Sequence, residues 1–290
     1  MRSRGSLAAA GVRFTPLLVV WALYLTAFWG RFKEPWPQFV RDYAGFVVRG
    51  LWRLYIEHAG IRSASYTHHL LAWLVVSLVL GAAVPVVVMR LMGRGWGEMG
   101  LGAPNHWGWR VVAVCILVAL PFAFFIAWEQ PTATEAARTG FSRPLSRKLL
   151  FVASTVPEHI LITGICVATF LPRARLPVLP ALAPIEGTGT KRALRWLGLA
   201  QPGDPRRRLM HRLLAWFGLD GPAALAIAGG GVLFGIVHVG ARPVTLASSF
   251  PGGMAVCYVT YRSRSVWPGW LVHVGELVLA QLFMLLLGRV

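Results

Sequence analysis

The sequence predicts an all-α, polytopic membrane bundle of about seven transmembrane helices, with an interfacial amphipathic helix near its N-terminus. Three observations predict it. Of 290 residues, 56% are hydrophobic and only 14% charged, whereas a soluble domain carries about a quarter charged residues to face water. Mean hydropathy is +0.59. Apolar runs recur at lengths close to the roughly 20 residues that cross a bilayer as a helix. A disordered chain is excluded, and an ordinary cytosolic enzyme does not fit.

The elements follow in order. The first apolar run, 14–29, is preceded by Arg2, Arg4 and Arg13. No small-x-small cleavage site follows it, so we expect an uncleaved first span and not a signal peptide. In residues 30–69, Trp36, Phe39, Tyr43, Phe46, Val47 and Leu51 recur at helical spacing beside Arg41, Asp42, Arg49 and Arg53. A helix lying in the membrane interface suits that mixture better than a span. Further spans are expected at 70–89, 111–128, 149–171, 222–239, 244–261 and 266–287. Between the fourth and fifth spans, residues 172–221 are rich in Pro, Gly and Arg. The excess of basic residues there places this loop, and with it the N-terminus, on the cytoplasmic side. Trp96, Trp107, Trp109, Trp128 and Trp267 sit near span ends, as interfacial anchors do.

The net charge of +18 would suggest nucleic acid in a soluble protein. Here the basic residues lie between apolar runs, so the expected partner is the lipid bilayer with its anionic headgroups, and no nucleic acid. Lys33, Lys148 and Lys191 are the only lysines and the remaining basic residues are Arg. That bias points to a GC-rich bacterial genome, hence a multi-pass protein of the bacterial inner membrane. Cys115, Cys166 and Cys257 fall in apolar runs at unpaired spacing, which predicts packing or lipid-facing thiols and no disulfide framework.

Ionisable groups inside spans are the informative residues, because each costs roughly 2.5–3.5 kcal/mol or more at the bilayer centre. Of eleven acids, only Glu158 and Glu276 lie within apolar runs. Of eight histidines, only His159, His238 and His273 do. All five fall in the last four spans. Phe234 and His238 are four apart and share a helix face, as do His273 and Glu276 at three apart. Glu158 and His159 are adjacent and diverge by about 100° on an α-helix. A carboxylate beside a neutral imidazole can deprotonate water, and a second imidazole can donate a hydrogen bond to an oxyanion. No Gly-x-Ser-x-Gly, buried Asp pair or His-Glu-x-x-His is present. Two histidines and a glutamate would also serve as zinc ligands, so the residues alone leave activated water and zinc both open.

The strings Pro157-Glu158-His159-Ile160-Leu161-Ile162-Thr163-Gly164, Phe234-Gly235-Ile236-Val237-His238 and His273-Val274-Gly275-Glu276 resemble the CPBP family of intramembrane proteases. This is the CAAX protease and bacteriocin-processing, or ABI, family, which includes the type II CAAX prenyl endopeptidases. Its first motif is Glu-Glu-x-x-x-Arg-Gly, its second Phe-x-x-x-His and its third His-x-x-x-Asn. The second is intact here. In the first, Glu158 and Gly164 match, but His159 replaces the second Glu and Thr163 the Arg. In the third, His273 is kept and Leu277 replaces Asn.

The resemblance covers roughly residues 100 to 287. It divides the chain into N-terminal transmembrane and interfacial helices, 1–100, and a protease-like core, 101–290. It implies an intramembrane endopeptidase that acts on a membrane-anchored protein or peptide through glutamate-activated water. Glu158 and His238 would be the activating pair and His273 the oxyanion donor, with His159, Glu276 and Phe234 in support. No metal or other cofactor is implied, zinc being the alternative. A second reading follows from the altered motifs: a catalytically impaired relative acting as a membrane-embedded binding or immunity protein. On Glu276, the spacing predicts a carboxylate that orients the His273 ring. Spans of equal depth raise one conflict, since they set Glu158 mid-bilayer, His273 nearer the cytoplasmic side and His238 near the outer end.

Overall fold

The computed structural model describes residues 21–22, 71, 74–129, 145–170, 214, 217–239 and 243–288. The interfacial helix expected at 30–69 and most of the 172–221 loop lie outside the described residues. So does nearly all of the first span, of which Trp21 and Ala22 are described and helical.

The described chain is helical throughout, with a single isolated bridge between Leu101 and Ser265. Helix α1 is Leu74–Leu91 and α2 is His106–Glu129. Helix α3 runs as α-helix over Leu145–Glu158, as π-helix over His159–Cys166, and as a last α turn over Val167–Phe170. Helices α4, α5 and α6 are Gly221–Val237, Pro243–Ser263 and Val266–Leu286. Six of the expected spans are thus helices, with ends close to those read from hydropathy. Among the described residues four helices are long and apolar enough to cross a membrane: α1, 107–128 of α2, 152–169 of α3, and α6. Helix α4 is shorter, at 17 residues. Helix α5 is long enough but more polar, carrying Thr245, Ser248, Ser249, Thr260 and Arg262.

Helix α3 is the centre of the bundle. Over its apolar window 72% is buried, against 17–22% for the other three spans, whose outer faces present residues such as Leu91, Leu117 and Leu286. In lipid such faces need no protein cover, so exposure here marks the bilayer side. Around α3, Met89, Met99, Ile160, Ile165, Ala168 and Val266 form one core. Val167, Ala223, Ala226, Ile227, Cys257 and Tyr261 form a second. The two π-helical stretches, Val79–Ala83 and His159–Cys166, each lie beside a proline, Pro85 and Pro157. A proline has no N–H to give the α ladder, and a local widening absorbs the break.

Sequence-encoded caps set the helix starts. Asp220 accepts from the Ala223 amide ahead of α4, with Pro222 in the first turn. Ser265 caps α6 through the Trp267 amide. Both satisfy amides that a helix N-terminus leaves without partners. Between α1 and α2, the turn at Gly100 (φ 73°) hands its carbonyl to the Val266 amide at 2.8 Å, while the Gly102 carbonyl accepts from Ser265 Oγ. The α1–α2 connection is thereby fastened to the start of α6.

Trp107 corrects an expectation. It is not an interfacial anchor but a buried ring, 3% exposed, packed with Val111 and Val259 beneath the Arg262 guanidinium at 5.3 Å. Its place in the first turn of α2 turns it toward α5 instead of lipid. Trp96, Trp109 and Trp128 are more than half exposed, as anchors should be. The three cysteines are free thiols, Cys257 buried and the others half-buried.

Gly164 is fixed by space. A Cβ there would meet the Met99 carbonyl oxygen at 2.5 Å and Val266 Cγ1 at 2.8 Å, and a backbone oxygen cannot swing aside. Gly164→Ala should destabilise the fold by about 1–3 kcal/mol, the usual cost of overpacking a core. Gly252 has open space around its Cα hydrogens, so Gly252→Ala should leave the melting temperature unchanged or raise it slightly. Thermal unfolding of both variants in detergent micelles, followed by intrinsic Trp fluorescence, checks the pair; equal losses would refute the packing argument.

Candidate active site

Three helices bring their histidines together around one phenylalanine. His159 opens the π-helical stretch of α3 and is fully buried. Its Nε2 lies 2.8 Å from Nδ1 of His273 on α6, with ring centroids 5.1 Å apart. The Phe234 ring stands 5.9 Å from His159, 5.5 Å from His273 and 4.9 Å from His238. The His238 and His273 rings are 6.5 Å apart. Phe234 is therefore the hub, stacked on His238 and edge-on to the other two.

The depth conflict disappears in the packing of α5. A Cβ on Gly253 of α5 would fall 2.6 Å from Phe234 Cβ, and one on Gly269 of α6 would fall 2.8 Å from Val256 and 3.0 Å from Thr260 of α5. One helical turn beyond Gly269, His273 reaches the level of Gly253 and hence of Phe234. Equal spans misplace these residues because depth is set by which residues of neighbouring helices pack against each other, and not by rank from the helix start.

His238 is held by the end of its own helix. It is the C-cap of α4 (φ −91°, ψ 4°), and its Nδ1 is 2.8 Å from the Phe234 carbonyl. The last carbonyls of a helix lack intrahelical donors, and a histidine at the end can supply one. Since a carbonyl only accepts, Nδ1 carries the proton. The neutral ring then presents Nε2 as a lone pair, the form that can accept a proton from water.

Glu158 is the last α-helical residue before the π stretch and is buried, 5% exposed. The hydrogen bonds that tie the histidines together do not pass through it. At Thr163, where the family motif has Arg, the hydroxyl donates to the His159 carbonyl at 2.8 Å. In a π-helix that carbonyl is met by the amide five residues on, and the Thr hydroxyl bonds to it as well.

Glu276 is half-buried on α6; with Nδ1 of His273 bonded to His159, a carboxylate that oriented this ring would have to bond its other nitrogen. Leu277, at the position of the family's Asn, is half-buried and apolar. Among the described residues no group of three or more His, Cys, Asp and Glu is arranged to hold a metal ion. His159 Nε2 and His273 Nδ1 are committed to each other.

Apolar spans around a cluster of histidines with a neighbouring carboxyl define a multi-pass helical membrane protein whose polar site lies within the bundle. Comparison with known families gives one match, over part of the chain. Residues 205–276 match the family model described as Type II CAAX prenyl endopeptidase Rce1-like, a stretch that holds Phe234, His238 and His273. Over that quarter of its length the chain is similar to the CAAX-type, or CPBP, intramembrane protease family, the same family that its motifs resemble. No curated protein and no solved structure matches it.

With His159 occupying Nδ1 of His273, Glu276→Leu is expected to leave His273 oriented and cleavage intact, as is Glu276→Gln. Cleavage of a membrane-anchored reporter, normalised to expression, checks both. Loss in the Leu variant and retention in the Gln variant would restore Glu276 as a hydrogen-bonding partner within the site.

Proposed function

We propose that the protein is an intramembrane endopeptidase of a bacterial inner membrane that hydrolyses a peptide bond of a membrane-associated protein or peptide by glutamate-activated water, without a metal. The family supplies the coarse activity. The observation that carries the finer reading is the convergence of His238 and His273, from two family motifs, on Phe234 beside the buried helix that holds Glu158.

In this reading the Glu158 carboxylate takes a proton from water while the His238 Nε2 lone pair accepts a hydrogen bond from the same water and orients it. The hydroxyl oxygen adds to the scissile carbonyl carbon, and the carbonyl oxygen becomes an oxyanion. His273 donates a hydrogen bond to that oxyanion from its outer nitrogen. Glu158 then passes its proton to the leaving nitrogen, the C–N bond breaks, and the carboxylate is regenerated. Hydrocarbon around the site strengthens each of these interactions.

The second reading, a binding or immunity protein without catalysis, is favoured by the departures at His159, Thr163 and Leu277. Two measurements separate the readings. Glu158→Gln should abolish cleavage of a membrane-anchored reporter at unchanged expression, because an amide cannot act as the base; wild-type cleavage by that variant would sink the glutamate mechanism. His238→Ala and His273→Ala should each cost at least about two orders of magnitude in rate. A wild-type protein with no cleavage of any offered peptide, but stable capture of one, would establish the second reading.

Zinc is tested separately. Purified protein should carry no stoichiometric zinc and keep its activity after strong chelation. One equivalent of zinc, lost together with activity, would replace the glutamate mechanism by metal-assisted hydrolysis.

A further inference from the structure

We propose that His159 is a positioning residue that sets the tautomer of His273 by donating its Nε2–H to His273 Nδ1, so that His273 presents Nε2–H to the reacting carbonyl. This rests on the reading of His273 as the oxyanion donor, and it gives a part to the one ionisable residue of the cluster that the mechanism does not use.

The argument is one of hydrogen-bond satisfaction. Two neutral imidazoles 2.8 Å apart through Nε2 and Nδ1 share one proton on that line. If His273 donated, the proton of His159 would have to sit on Nδ1, which is buried and has no hydrogen-bond partner. A sealed N–H without an acceptor is the rarer and costlier defect in protein interiors, whereas an acceptor left short of a donor is better tolerated. The proton therefore belongs on His159 Nε2. His273 Nδ1 accepts, and the neutral His273 ring must carry its own proton on Nε2. His238 and His273 are each only half-buried, whereas His159 is fully buried, and in the proposed reading it is their outer nitrogens that face the ligand.

The two outer nitrogens are thereby made opposite. His238, donating from Nδ1 to the Phe234 carbonyl, presents a lone pair; His273, accepting at Nδ1, presents a donor. One suits a water proton and the other an oxyanion. Without the bond to His159, His273 would be free to present either form.

His159 can do this because of its place in the chain. Its side chain sits where the π-helical stretch begins, its carbonyl is held by Thr163, and its ring is wedged against Phe234. The ring is fully buried between Phe234 and His273. A residue so fixed can fix its partner, in the way that the partner of one ring nitrogen decides what the other nitrogen does.

The test uses full-length protein, labelled with 13C and 15N histidine, in lipid bilayers near neutral pH. Solid-state NMR distinguishes the two neutral tautomers, and the spectra of His159→Ala, His238→Ala and His273→Ala assign the signals. The expected result is Nε2–H on His273 and Nδ1–H on His238. His159→Leu, similar in bulk but without a donor, should give His273 a mixture of tautomers and lower kcat by roughly ten- to a hundredfold with KM unchanged, short of the full loss of an oxyanion donor. His159→Gln, whose amide N–H can reach His273 Nδ1, should recover most of that kcat. His273 protonated on Nδ1 in the wild type would overturn the proposal, as would an unchanged tautomer in His159→Leu or equal kcat in the Leu and Gln variants. The wild-type spectrum decides even if a variant fails to fold. Should the tautomers behave as expected while His273→Ala cleaves at the wild-type rate, His159 still positions His273, and it is the oxyanion role of His273 that falls.

Discussion

Within hydrocarbon a polar group has no water to fall back on, and its partner must come from the bundle itself. Three histidines and a glutamate are held under that rule, and much of the architecture near them reads as its consequence. His159 finds His273, His238 finds the Phe234 carbonyl at the end of its own helix, and Thr163 gives its hydroxyl to the His159 carbonyl. Phe234 supplies the apolar floor on which the rings rest.

Position follows from helix length as much as from hydrogen bonding. The short α4 ends at the level of the cluster, so His238 arrives at a helix terminus, where backbone carbonyls are available to hold it. Had α4 run on as an unbroken helix, that ring would have projected from a surface whose carbonyls were already satisfied. The tautomer of His238 is thus a property of where its helix stops. The capping residues Asp220 and Ser265 matter for the same reason, since they fix the starts of α4 and α6 and hence the depth of everything after them.

Much of this was legible in the sequence. Six apolar runs became helices with nearly the expected ends, and the segregation of ionisable residues pointed to His159, His238 and His273, which do meet. The pairing of Phe234 with His238 at four residues was readable because α-helical periodicity holds there. The part that was not legible begins at Pro157. Periodicity assumes 3.6 residues per turn, and the π-helical stretch that follows breaks that assumption, so the direction of His159 could not be read from its neighbours. The bond from His159 to His273 was hidden for a related reason: spacing along one helix is visible in a sequence, whereas the approach of a ring from another helix is not. Trp107 was misread because a tryptophan near a span end looks the same whether its helix turns it to lipid or to protein.

The glycine seam between α4 and α5 has a consequence for traffic. Gly230, Gly231 and Gly235 face Cys257, Met254 and Phe250, and Gly253 faces Phe234, so closely that even a methyl group on these glycines would fall about 2.4–2.6 Å from its neighbour. Two helices pressed together in this way form a closed wall. A polypeptide entering from the bilayer would have to prise that wall apart, at the expense of the contacts that keep Phe234 under its histidines. The way in is therefore on another side of the cluster, and a search for the doorway can leave this flank out.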